Sequence, residues 1–102
     1  MEAGTEIHAD FILIAEGDSM TGARIFDGDL VFIRKQDIVE NGEIAAVAVD
    51  DEATLKRFYK YGDDLVVLRA ENPEYKNQEY RAEDGRQIRI LGKAVAFQSD
   101  VK

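Results

Sequence analysis

Apolar and polar positions alternate along most of this chain in short runs, and glycine, aspartate or asparagine closes each run. Runs rich in Val, Ile, Leu, Phe and Tyr with period-two alternation, bounded by such turn formers, predict β-strands. The pattern predicts strands over residues 10–15, 29–35, 43–49, 53–61, 64–70, 79–82 and 88–98, the last interrupted near Gly92. Helical spacing is nearly absent. The expected fold is therefore all-β, a compact single domain of short, mostly antiparallel strands with at most one short helical turn after Ser19, where Ser or Asp can cap exposed amides.

Turn chemistry orders the strands. Asp50-Asp51-Glu52 and Tyr61-Gly62-Asp63-Asp64 read as hairpin connections, which puts Lys56 on the central strand of a meander. Asp27-Gly28-Asp29 and Asn41-Gly42-Glu43 each introduce a strand, and the sole proline follows Asn72 in a loop. No repeat or low-complexity tract divides the chain. Residues 1–9 read as a poorly anchored leader and residues 10–102 as the domain.

Composition narrows the partners. The 102 residues, 45% of them hydrophobic, suit one domain with a modest core. Thirteen basic against 21 acidic residues leave a net charge of -8, which repels phosphate backbones and anionic lipid. Cysteine is absent, so no disulfide is needed, as suits a reducing cytoplasm. The apolar runs are short of a membrane span and the start, Met-Glu-Ala-Gly-Thr-Glu, is acidic where a signal peptide is basic, so a soluble cytoplasmic protein is expected. The acidic pairs at 50–52 and 63–64 lack the spacing of a calcium loop and read as solvated hairpin tips. No metal or cofactor is expected. Arg57, Lys60, Arg69, Arg81, Arg86 and Arg89 are scattered without aromatic interleaving and read mostly as solubilising charge.

Nucleophile chemistry has few candidates. With no cysteine, and the single histidine, His8, ahead of the first strand, neither a Cys/His pair nor a Ser/His/Asp triad is supported. Ser19 stands in Gly17-Asp18-Ser19-Met20, just beyond the stretch Phe11-Ile12-Leu13-Ile14-Ala15, read as a buried strand. Considered alone it reads as a helix cap, but a tight turn there also exposes the hydroxyl and aims amides at one point. Lys56 shares a strand face with Thr54 and Phe58. Alone it reads as a strand lysine reaching solvent. Facing a partly apolar surface instead, it would lose affinity for its proton and become a base.

The ordered set Gly17-Asp18-Ser19-Met20, Asp27-Gly28-Asp29-Leu30-Val31, Asn41-Gly42-Glu43-Ile44-Ala45, Thr54-Leu55-Lys56-Arg57 and Glu71-Asn72-Pro73 closely resembles the LexA-like serine peptidase family, from about residue 10 to about residue 98. That family holds LexA, UmuD and repressors of the lambda phage type. The resemblance implies Ser19 as nucleophile, Lys56 as base, amides of the Asp18 to Met20 turn as the oxyanion site, and Met20 as a packing neighbour of the substrate. It implies cleavage of an Ala-Gly or Cys-Gly bond upstream in the protein's own chain, a homodimer formed through C-terminal strands, RecA on single-stranded DNA as co-activator, and operator DNA bound by a separate N-terminal domain.

No helix-turn-helix pattern precedes the domain, and Ala3-Gly4 lies closer to Ser19 than the family's scissile bond does, so the DNA-reading domain and cleavage loop are expected to be missing from this chain. A UmuD-like polymerase accessory subunit and a non-catalytic β-rich dimerisation module stay open as alternatives.

Overall fold

A computed structural model describes residues 8–99, so the candidate pair Ala3-Gly4 and most of the expected leader lie outside the described residues. Seven strands form one sheet: β1 (Phe11–Ile14), β2 (Leu30–Lys35), β3 (Ile44–Val49), β4 (Glu52–Tyr61), β5 (Leu65–Arg69), β6 (Gln78–Arg81) and β7 (Ile88–Gln98). All pairings are antiparallel, in the order β1-β2-β7-β3-β4-β5-β6. The domain is all-β, as the alternation predicts. Strand ends fall within a residue of expectation because each is stopped by a turn that only certain residues make. Asp50 and Gly62 both take positive φ in the β3–β4 and β4–β5 hairpins.

Three expectations change. β1 is an edge strand rather than a buried one: Phe11 and Leu13 pack inward while Ile12 and Ile14 stay exposed, Ile14 at 63%. β7 continues as one strand through Gly92, with the expected interruption present only as a register shift against β3 between Gly92 and Ile90, and a Cβ on Gly92 would sit 2.3 Å from the Arg34 carbonyl oxygen and 2.6 Å from Ile33 Cγ2. Glycine marks a close strand approach there, not a break. After Ser19 the chain makes only a 3-10 turn, Thr21–Ala23, with Met20 at its N-cap and no side-chain cap, so neither Ser19 nor Asp18 caps it through its side chain. A second 3-10 turn, Ala82–Asp84, follows β6, held by the Asp84 carboxylate on the Arg81 amide and by left-handed Gly85.

β3 is buried on both faces, which explains its run of alanines and valines. Ala46 joins Met20, Ile25, Val31, Ile33 and Leu55 in one apolar cluster. Ala45, Val47 and Val49 join Val39, Phe58 and Leu68 in a second one. β7 couples the two halves of the sheet: its register with β3 covers Ile88 to Lys93 and its register with β2 covers Gly92 to Gln98.

The arginines do more than solubilise. Arg57 and Arg69 pair with Glu71, Arg81 with Asp64, and Arg86 with Asp50. The acidic hairpin tips are thus tied down. Asp50 also accepts from the Gln87 amide, and with Arg86 this holds its carboxyl below the usual range.

Candidate active site

Ser19 follows β1 in a turn that the surrounding motifs hold from both sides. On one side, Asp27 of the Asp-Gly-Asp turn accepts the Gly17 amide at 2.8 Å. Asp29, 5% exposed, accepts the Phe26 amide with its carboxylate and the Ala15 amide with its carbonyl, so this turn also closes the end of β1. On the other side, the Glu71 amide donates to the Ser19 carbonyl at 2.8 Å, and Asn72 Nδ2 donates to the Asp18 carbonyl at 2.8 Å. The Tyr75 hydroxyl donates to the Asp18 carboxylate. Met20, 4% exposed, anchors the turn from beneath in the first apolar cluster.

Lys56 lies on β4, between β3 and β5, as the meander predicts. Its side chain is half-buried, and Nζ donates to Thr54 Oγ1 at 2.8 Å, the same-face neighbour two residues back. Burial pushes the Lys56 amine below the ordinary lysine value, because the protonated form loses water without gaining a carboxylate. Sequence reasoning put Thr54 on the face of Lys56 but gave it no role at the site. Its signal was present, since period-two alternation puts the hydroxyl beside the amine.

One cleft of about 350 Å³ collects these groups. Ser19, Met20, Thr54 and Lys56 line it, together with Leu13 and Ile14 from β1. Asp18 is not among its lining residues, and its carboxylate is taken by Tyr75. Neither is His8, which lies near Asp10. Among the described residues no hydrogen bond joins Ser19 Oγ to Lys56 Nζ, and the backbone N–H groups of Ser19 and Met20 have no acceptor.

The cleft wall also carries an open strand edge. β4 pairs with β3 from Glu52 to Arg57, whereas its register with β5 begins only at Arg57. The backbone of residues 52–56 therefore has one edge without a strand neighbour among the described residues, and Ala53 to Lys56 line the cleft. An extended peptide laid there would complete the ladder.

A family model for Peptidase S24-like proteins matches residues 3–95. The chain is 48% identical over 85 residues to the LexA repressor of Thermotoga maritima, an alignment spanning 83% of this chain and 41% of the relative. It is 47% identical over 85 residues to the LexA repressor of Oleidesulfovibrio alaskensis, spanning 83% and 40%. With the LexA repressor of Magnetococcus marinus it shares 43% identity over 96 residues, 94% of this chain and 40% of the relative. The chain thus spans about two fifths of the length of these relatives. A family-model match over nearly the whole domain, together with these relatives, shows that the chain belongs to the Peptidase S24-like family, the LexA-like serine peptidases.

Proposed function

We propose that this chain is the self-cleaving peptidase and dimerisation domain of a LexA-like transcriptional repressor, with Ser19 as nucleophile and Lys56 as base. The observation that carries the reading is the shared cleft: a hydroxyl on a braced turn and a desolvated amine on β4 line the same space. A lysine whose pKa is lowered by burial gives up its proton more readily than a free one, and only the free amine accepts a proton.

In the proposed reaction, Lys56 leaves Thr54, and Nζ takes the proton as Ser19 Oγ bonds to the scissile carbonyl carbon. The oxyanion forms opposite the Ser19 and Met20 amides, which have no other acceptor among the described residues. The C–N bond breaks as the Lys56 ammonium protonates the leaving amine, giving an ester on Ser19. Water then attacks that ester, Lys56 again accepting the proton, and the acid and free serine are released. The open edge of β4 favours an extended peptide as substrate, and the upstream Ala-Gly loop of the longer protein fits that requirement.

The rest of the reading concerns the longer protein. RecA on single-stranded DNA is the co-activator it implies, and operator DNA is bound outside this acidic domain, in the cytoplasm. Homodimerisation through C-terminal strands is supported by the edge of β7 over Ala94 to Gln98 on the side away from β2, which has no strand neighbour among the described residues, and by Phe97, which is 43% exposed. Among the described residues no helix is long and apolar enough to cross a membrane.

Supplying an Ala-Gly loop peptide tests the chemistry. Cleavage is expected to rise with pH as Lys56 loses its proton, with an apparent pKa below that of a free lysine, and both Ser19→Ala and Lys56→Ala are expected to abolish it. Full cleavage by Lys56→Ala would show the base to be another group.

A further inference from the structure

The loop from Ala70 to Asn77, between β5 and β6, contributes no residue to the cleft lining, yet among the described residues it makes more polar contacts with the Ser19 turn than any other segment. Its first polar residue, Glu71, is bound at three points. Its amide donates to the Ser19 carbonyl at 2.8 Å, its carbonyl accepts from the Gly22 amide at 2.6 Å, and its carboxylate accepts from Arg57 Nε at 2.9 Å and Arg69 Nη2 at 3.3 Å. Arg57 follows Lys56 on β4 and is itself fixed by a 2.6 Å bond from Nη1 to the Gly42 carbonyl. One peptide bond (Lys56–Arg57), one ion pair (Arg57–Glu71) and one hydrogen bond (Glu71 amide to Ser19 carbonyl) therefore connect Lys56 to the Ser19 turn.

The path has little slack. Gly22 is packed against the Glu71 peptide so closely that a Cβ would lie 2.5 Å from the Glu71 oxygen. Burial raises the Glu71 carboxyl's affinity for a proton, but the hydrogen bonds and charges of Arg57 and Arg69 outweigh it, so Glu71 is ionised across the neutral and alkaline range. The ion pair is partly shielded from water, and Arg57 divides a rigid fork between Glu71 and Gly42.

We propose that Glu71 is a positioning residue: its peptide and carboxylate strap the Ser19 turn to β4, and the Arg57–Glu71 pair sets how far the Ser19 hydroxyl stands from the Lys56 amine. The inference rests on Ser19 and Lys56 being nucleophile and base. A proton transfer needs its partners within hydrogen-bond reach, and a displacement of about 1 Å in such a pair costs about 100-fold in rate.

Two substitutions probe the strap differently. Glu71→Gln keeps the shape and both backbone bonds while removing the charge that holds Arg57. Gly22→Ala keeps the charge and wedges the peptides apart. Measured with an Ala-Gly loop peptide and folded protein, each is expected to lower kcat at least about tenfold, leaving KM within about twofold and the apparent pKa of the base in place. Arg57→Lys should retain more kcat than Arg57→Met. Crystal structures of the parent and of Glu71→Gln give a readout independent of turnover, in which the separation of Ser19 Oγ and Lys56 Nζ should change. An unchanged separation, or full kcat in both Glu71→Gln and Gly22→Ala, would overturn the strap. Ser19→Ala and Lys56→Ala controls separate the two ideas. If those are inactive while Glu71→Gln is fully active, the strap alone fails, and if they remain active the dyad fails.

Discussion

Lys56 shows how far a single residue can be read from its neighbours in sequence. Alternation placed it beside Thr54, and the structure has that contact at 2.8 Å. Its depressed pKa was legible only as one alternative, because it depends on burial in a cleft whose lining includes Leu13 and Met20, about 40 residues away along the chain and brought there by the fold. The shift has a measurable consequence for stability. Between the folded pKa and the unfolded value of about 10.4, the unfolded chain holds more protons at this site, so the parent's stability rises with pH across that window. Lys56→Met is therefore expected to melt higher than the parent near neutral pH, with the gap closing as pH approaches about 10. Melting curves of both proteins across that range check this. A gap that stayed constant would mean the amine carries no desolvation penalty. Asp18 shows a different case: beside Ser19 in the motif, its carboxylate accepts from the Tyr75 hydroxyl, and it is not among the residues that line the cleft.

At the level of elements, the strands were legible nearly to the residue, since turn formers such as Asp50-Asp51 and Tyr61-Gly62 leave little freedom in where pairing stops. What went unread was how elements meet. Gly92 looks like a break in a strand when only its own neighbours are considered, yet it lies where β2 and β3 both pair with β7 and where a side chain would strike the Arg34 backbone. Because the obstacle is main chain, rotamer changes cannot relieve it. Gly92→Ala is expected to destabilise the domain by about 3 kcal/mol, read as a lower urea midpoint with an unchanged slope. A loss within error of zero would show that β2 can slide away freely. The arginines read as solubilising charge were misjudged for a similar reason: Arg57 and Glu71 are fourteen residues apart, and only the β4–β5 pairing brings them together.

For the whole molecule, the C-terminal half of β7, whose edge away from β2 has no strand neighbour among the described residues, makes a specific demand. A second copy pairing there would cover Phe97 and complete the ladder, so Phe97→Glu is expected to shift sedimentation from dimer toward monomer without loss of fold. An unchanged sedimentation profile would place any dimer contact elsewhere. By itself the sequence determined the all-β class, the strand boundaries, the order of the motif blocks and the family, because local alternation and turn chemistry depend on residues within a few positions of one another. Only the tertiary structure decided that β7 lies between β2 and β3, that β1 is a half-exposed edge, that Ser19 and Lys56 share one cleft, and that Glu71 ties their elements together. Each of these rests on contacts between residues far apart in the chain, whose geometry is set by packing and register rather than by any local preference.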